Sequence, residues 1–125
     1  MATGIFSLLA AGSYRRSDGY RHNTDFSNYN AFVRATYDGG RAGFFDLQAG
    51  WQDRDFGSNG FYAAYNPDQW EGTSTSLASL RWLRQAGRFS LGASASYRKN
   101  FDRYDWTRGT VMNRHNTDNA GARLW

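Results

Sequence analysis

Two histidines are the most direct candidates for chemistry in this sequence, and both lie in copies of the pentapeptide RHNTD. The copies occupy residues 21–25 and 114–118, so that His22 precedes Asp25 and His115 precedes Asp118 by three positions. An imidazole beside a carboxylate can bind a metal ion or carry a proton. The same residues also suit exposed loops, and we favour that simpler interpretation.

Acidic side chains form two further candidate groups. Asp18, Asn23 and Asp25 offer hard oxygen ligands, although a calcium site takes about six to eight oxygens. Four acids between residues 53 and 71 could act as the paired carboxylates of a glycosidase, but exposed loop acids are the better explanation. No G-x-S-x-G nucleophile motif is present. The sequence therefore predicts a protein that is not an enzyme.

Aromatic residues concentrate in the stretches between the most regular segments. Rings of this size give a large contact area at a low entropy cost, so they suit a small-molecule ligand. Packing of one loop on another is an alternative of equal weight. The candidate ligand-binding residues are Trp51, Phe56, Asn59, Phe61, Tyr62, Tyr65, Trp70, Tyr104 and Trp106.

The composition indicates that strands and turns position these residues. Aromatic residues make up 18% of the 125 positions, and there are 14 glycines but one proline. Cysteine is absent, which excludes a disulfide framework and a thiolate metal site. The net charge is +4, yet acidic and basic residues are interspersed and no basic run occurs. A nucleic-acid partner would need a clustered basic stripe, so none is predicted.

A period of two dominates the chain and predicts six strands. One face of each strand is apolar and free of charge. Its members are Phe6, Leu8, Ala10, Gly12 and Tyr14; Tyr29, Ala31, Val33, Ala35 and Tyr37; Phe45, Leu47, Ala49 and Trp51; Ser76, Ala78, Leu80 and Trp82; Phe89, Leu91, Ala93, Ala95 and Tyr97; and Ala120, Ala122 and Leu124. The opposite face is polar. Its charged members, predicted to face a water-filled lumen, are Arg34, Asp46, Arg81, Arg98 and Arg123.

Aromatic residues lie at the ends of the apolar faces, and small or aliphatic residues lie in the middle. Strands of about ten residues with this pattern match an apolar band about 25 Å tall between aromatic girdles, as in outer-membrane barrels. A soluble sheet with one buried face shows the same alternation. Its core normally contains more branched aliphatic residues than the one isoleucine and two valines found here. We therefore expect an all-β, antiparallel, up-and-down meander in contact with membrane lipid.

The predicted connections alternate in length. Residues 38–42 and 84–88 read as tight turns, whereas residues 17–25, 53–72 and 100–117 read as longer loops. Short turns on one side and long loops on the other are typical of outer-membrane barrels. Both RHNTD copies would then mark the point where the chain re-enters the sheet from a long outer loop.

The third connection resembles a segment of TonB-dependent outer-membrane receptors of Bacteroidetes, notably those similar to vitamin B12 receptors. Their pattern is close to F-G-A-N-x-F-Y followed by Y-P-x-Q-x-E-x-T. The chain departs from it at Ser58 and inserts Asn66. The matching residues are Phe56, Gly57, Asn59, Phe61, Tyr62, Pro67, Gln69, Glu71, Thr73 and Thr75. Residues 17–26 also look like an early outer loop of that family.

The resemblance implies energised uptake of a scarce nutrient, cobalamin or another ligand, across the outer membrane. It also implies a plug domain, the periplasmic partner TonB and calcium in the outer loops, where Asp18, Asn23 and Asp25 are the candidate ligands. Residues 1–125 would form one partial segment of the barrel, without plug or remaining strands. Open edges would let such a segment self-associate. The alternative is a soluble, lectin-like β-sheet module that binds through its loop aromatics.

Overall fold

The computed structural model describes residues 4–125, which form one six-stranded antiparallel sheet. The order of strands across the sheet is their order along the chain, so the predicted all-β up-and-down meander is confirmed. Among the described residues, no helix is long and apolar enough to cross a membrane. The strands are β1 (Ile5–Ser17), β2 (Phe26–Asp38), β3 (Phe44–Gly57), β4 (Trp70–Ala86), β5 (Phe89–Thr107) and β6 (Thr110–Leu124).

The strand register brings the predicted apolar residues into rows that cross the sheet. Near the tight turns, Phe6 lies opposite Tyr37, and Tyr37 lies opposite Phe45. The rings of Tyr37 and Phe45 stack with centroids 6.3 Å apart. Near the other end, the rings of Tyr14 and Tyr29 stack at 4.5 Å. Such cross-strand aromatic pairs stabilise the register, since a slip of one residue would move every side chain to the other face.

Residues 4–125 form a single layer of sheet, and no second layer of these residues covers its apolar face. No apolar side chain is buried among the described residues, and Leu8 in the middle of this face remains 64% exposed. Soluble domains bury such a face against a second layer of structure. The stabilising contacts within these residues are therefore the main-chain ladder and the cross-strand pairs.

The polar face carries hydrogen-bonded pairs between neighbouring strands. Arg34 donates two hydrogen bonds to the carboxylate of Asp46, at 2.9 and 2.7 Å, and Asp46 is buried beneath it. Closer to the loops, Gln52 donates to Asn30 at 2.8 Å, and Asn30 donates to Ser13 at 3.1 Å. Amides and hydroxyls thus form a row across the first three strands.

Four of the five connections predicted from the sequence are present in the structure at about the predicted place. Residues 39–43 and 87–88 make the tight turns, and residues 18–25 make a longer loop. The next loop is shorter than predicted, residues 58–69 rather than 53–72, because β3 and β4 continue past the apolar band.

The predicted loop over residues 100–117 is wrong. β5 and β6 pair through this region and meet in a turn at residues 108–109, where Gly109 has a φ of 91° that favours glycine. Polar residues on both sides hid the strand pattern from the sequence. The second RHNTD copy consequently lies inside β6, so the two copies do not mark equivalent positions.

Candidate functional site

Three connections meet at one end of the sheet, which we call the loop end: residues 18–25, 58–69 and 108–109. Asn23 lies at its centre and is buried. Its side-chain amide donates to the carbonyl oxygens of Pro67, at 2.9 Å, and Gln69. Its φ of 52° is unusual for a residue with a side chain, although asparagine tolerates it better than most. A Cβ at Gly57 would lie 2.5 Å from the Asn23 carbonyl oxygen, so glycine makes this approach possible.

Ion pairs join the same connections. Arg108 donates two hydrogen bonds to the carboxylate of Asp25, at 2.7 and 2.8 Å, which lowers the pKa of Asp25. The backbone N–H of Arg108 donates to the Asp68 carbonyl at 2.8 Å. The His22 Nε2 lies 2.5 Å from the Asp68 carboxylate. The first RHNTD copy therefore fastens the first loop to the other two connections.

Further amides complete the loop end. Asn59 donates to the carbonyl of His22, and Asn66 donates to the carbonyl of Trp106, each at 2.6 Å. Gln69 is fully buried and accepts from the backbone N–H groups of Tyr62 and Ala63. Of these, Asn59 is a predicted ligand contact, and its side-chain amide takes part in the network between the loops.

The candidate aromatic residues separate into two clusters and three isolated positions. In one cluster Tyr62 makes edge-to-face contacts with Phe61, at 4.9 Å between ring centroids, and with Tyr104, at 5.2 Å. In the other, Tyr65 lies 6.0 Å from Trp106. The remaining three are apart from both clusters: Trp51 is on the apolar face opposite Ala31, Phe56 lies beneath Arg54, and Trp70 lies beneath Arg103.

A pocket of about 330 Å³ opens beside the first cluster, on the polar face. In the strand register Tyr104 lies between Glu71 and Asn113, and Asp102 lies opposite His115. All five residues line the pocket together with Arg103 and Tyr62. The Tyr62 hydroxyl donates to the Glu71 carboxylate, and this hydrogen bond, with burial, raises the pKa of Tyr62 to about 12. Tyr62 is therefore a neutral donor at physiological pH.

The candidate calcium ligands are occupied by other partners. Asp18 accepts from Arg16, Asp25 accepts from Arg108, and the Asn23 amide nitrogen binds backbone carbonyls. Among the described residues, no three histidine, cysteine, aspartate or glutamate side chains come together in a metal-binding arrangement. Both carboxylates are thus paired with guanidinium groups in this structure, and calcium binding at these three residues stays a prediction.

The predicted lumen-facing residues share one face in the strand register. Asp46 lies opposite Arg81, and the same row continues to Arg123. Within residues 4–125, Arg34 forms an ion pair with Asp46 on this face. Arg81, Arg98 and Arg123 form none there with any of these residues. Beside Arg98, a shallow groove of about 490 Å³ runs over Phe32 and Leu77, two of the apolar residues that interrupt this face.

Sequence reasoning missed several residues that build the loop end, above all Arg108, Asn66, Gln69 and Asp105. Asp105 is fully buried, accepts from Arg103 at 2.9 and 2.8 Å, and accepts from the backbone of Gly109. Arg108-Gly109 was a detectable turn signal, and Asn66-Pro67-Asp68 was another. The partners of these residues are distant in sequence, so no local pattern reveals them.

The six strands and their order define the chain as an all-β protein built on one antiparallel meander. Comparisons with protein-family models, with curated proteins and with solved structures find no match.

Proposed function

We propose that this chain is a segment of a TonB-dependent receptor barrel in the outer membrane. Its apolar face contacts lipid, its polar face lines the lumen, and its loop end contacts a small-molecule ligand such as cobalamin or another scarce nutrient. TonB and the plug act through the full-length receptor. The resemblance of residues 56–75 to that family supports the receptor class, and the exposed apolar face supports the membrane location.

The observation that carries the membrane proposal is the broad apolar band on one face of the sheet, on which no other part of residues 4–125 packs. Leu8, Leu47 and Leu80 lie in one row across it and are about half exposed or more. Eight positions along the strand, about 26 Å in extended geometry, separate the aromatic Phe6 from Tyr14. Tilted by about 35–45°, a strand of that length covers about 18–21 Å, most of an apolar band of about 25 Å. Lipid satisfies such a face without a second protein layer.

The first experiment is light scattering after size exclusion, on the purified chain with and without detergent. We expect aggregation in plain buffer and a defined species in detergent, whose mass reports how many copies of the 14.2 kDa chain associate through their open edges. A discrete monomer in plain buffer would overturn the membrane proposal and favour the soluble lectin-like module.

A pair of arginine substitutions on β5 adds a matched control. Ala95 lies on the apolar face between Leu80 and Ala122, whereas Ser96 lies on the polar face between Ser79 and Gly121. Ala95→Arg should destabilise the chain in lipid bilayers by about 2–4 kcal/mol, the cost of arginine near the midplane of an outer-membrane barrel. Ser96→Arg should change the free energy of unfolding much less. Equal effects of the two substitutions would contradict the assignment of faces.

A further inference from the structure

We propose that the pocket beside Tyr62 and Tyr104 binds the cationic head of an organic ligand, an alkylammonium or guanidinium group. The inference rests on the proposed function, since it names the ligand class that the loop end selects. The recognising groups are the two tyrosine rings and the carboxylates of Glu71 and Asp102. All four line one pocket.

The rings supply two walls of the pocket. Their planes stand at 80° to each other, with centroids 5.2 Å apart. The face of an aromatic ring attracts a cation within about 6 Å of its centroid, and pockets walled by several rings are a recurring way to bind ammonium groups. The residue Tyr62 is 54% exposed, so a ligand has access to it. A volume of about 330 Å³ admits a small organic molecule.

The charge of the pocket favours the same ligand. Glu71 and Asp102 contribute two carboxylates. The one arginine in the lining, Arg103, is held by two hydrogen bonds to the buried Asp105, so its charge is already compensated. The other basic side chain of this lining is His115, which lies opposite Asp102, so an anionic ligand would meet two carboxylates and no uncompensated guanidinium or ammonium group of the lining. A cation would gain from both the carboxylates and the rings.

The two acids are also fixed in position before a ligand arrives. Glu71 accepts from the Tyr62 hydroxyl, and Asp102 accepts from the Asn100 amide at 2.7 Å. Both lie on strands rather than on loops, in β4 and β5. A site on rigid elements loses less conformational entropy on binding, so the arrangement suits recognition of a small head group.

The test is a titration of the detergent-solubilised chain, followed by chemical shifts of its backbone amides in NMR spectra. The probes are butylammonium, its neutral isostere butanol, the anion butyrate and the neutral sugar maltose. We expect saturable shifts around Glu71, Asp102 and Tyr104 with butylammonium and none with the other three probes. Binding of butanol or maltose as tight as that of butylammonium would overturn the proposal.

Variants of the chain sharpen this titration. Glu71→Gln together with Asp102→Asn keeps the side-chain shapes and should weaken butylammonium binding about tenfold or more. Asp53→Asn removes a carboxylate on the opposite face, between Tyr29 and Ser74, and should leave binding unchanged. Tyr104→Phe should retain binding and Tyr104→Leu should reduce it. Undiminished binding in the double variant, or in Tyr104→Leu, would contradict the proposed site.

Different experimental outcomes would contradict the proposed ligand class and the proposed membrane location. A chain that forms a defined species in detergent but does not bind butylammonium would leave the membrane proposal standing and remove the ligand class. A chain that is monomeric in plain buffer would remove the membrane proposal. The same titration run in that buffer would still decide whether the pocket binds cations.

Discussion

The two copies of RHNTD have the same five residues but different structures. In the first copy Asn23 is buried and has a positive φ, and Asp25 is held by Arg108. In the second copy the residues lie in β6, with Asn116 opposite Phe101 and Asp118 opposite Lys99. The difference comes from the surroundings. The first copy follows Gly19, whose φ of 80° turns the chain, whereas the second is extended along β5.

The pentapeptide therefore has no fixed conformation of its own. Asparagine and aspartate accept turn and strand geometry at modest cost, so long-range partners decide between them. For the first copy these partners are the carbonyls of Pro67 and Gln69 and the guanidinium of Arg108. Substitutions at matched positions of the two copies should therefore have unequal effects.

Asn23 and Asn116 should show the largest contrast. Asn23→Ala removes the two side-chain hydrogen bonds to the carbonyls of Pro67 and Gln69. It also leaves alanine at a positive φ, in the left-handed region. We expect a loss of about 2 kcal/mol in the free energy of unfolding. Asn116→Ala, on an exposed strand, should change it by less than about 0.5 kcal/mol. Urea titration in detergent micelles measures both.

A glycine variant separates the two contributions at this position. Asn23→Gly removes the same hydrogen bonds but accepts the positive φ, so it should cost less than Asn23→Ala. Equal stability of Asn23→Ala and Asn116→Ala would contradict the central role of the first copy.

Substitutions of Asp25 and Asp118 should differ by an intermediate amount in their effect on the free energy of unfolding. The effect at Asp25 should depend on pH. The Asp25→Asn change weakens a half-exposed ion pair with Arg108, so we expect a loss of about 0.5–1 kcal/mol at neutral pH. The pKa of Asp25 is lowered in the folded chain, chiefly by the hydrogen bonds from Arg108. Its stabilisation is thus present above the unfolded carboxyl pKa of about 3.9 and is lost as the pH falls through the folded value.

The measurement is the stability difference between the parent chain and Asp25→Asn from pH 7 to pH 2. It should shrink at the acid end. The matched variant Asp118→Asn, measured at pH 7, should cost less than about 0.5 kcal/mol. A difference for Asp25→Asn that grows in acid would contradict the assigned ion pair.

His22 and His115 should show the smallest contrast. His22 contacts Asp68 at 2.5 Å, but its side chain is 69% exposed, so water and salt screen the interaction. His22→Ala should cost less than about 0.5 kcal/mol, and 1 M salt should abolish the effect. His115→Ala should have no salt-dependent effect on unfolding. A salt-insensitive loss at His22 would indicate packing or a hydrogen bond from a neutral imidazole rather than an ion pair.

The sequence predicted the sheet better than its loop end, for a physical reason. Alternation along β1–β5 reports which side chains share a face, and the structure places Phe6 and Tyr37, both predicted on the apolar face, opposite each other. The ends of β5 and β6 carry polar residues on both faces and give no such signal. Asn23 and Arg108 are 85 positions apart and meet through tertiary structure alone. No local sequence pattern therefore predicts their contact.

The central claim is that the apolar face of this sheet contacts lipid, and the absence of cysteine allows a direct test. Single cysteines replace Leu47, Gln48, Ala49 and Gly50 in β3 and carry a spin label in liposomes. We predict that accessibility to dissolved oxygen is high at the two odd positions, whereas accessibility to a water-soluble nickel chelate is high at the two even ones. Equal accessibility at all four positions, or the reverse alternation, would contradict the account.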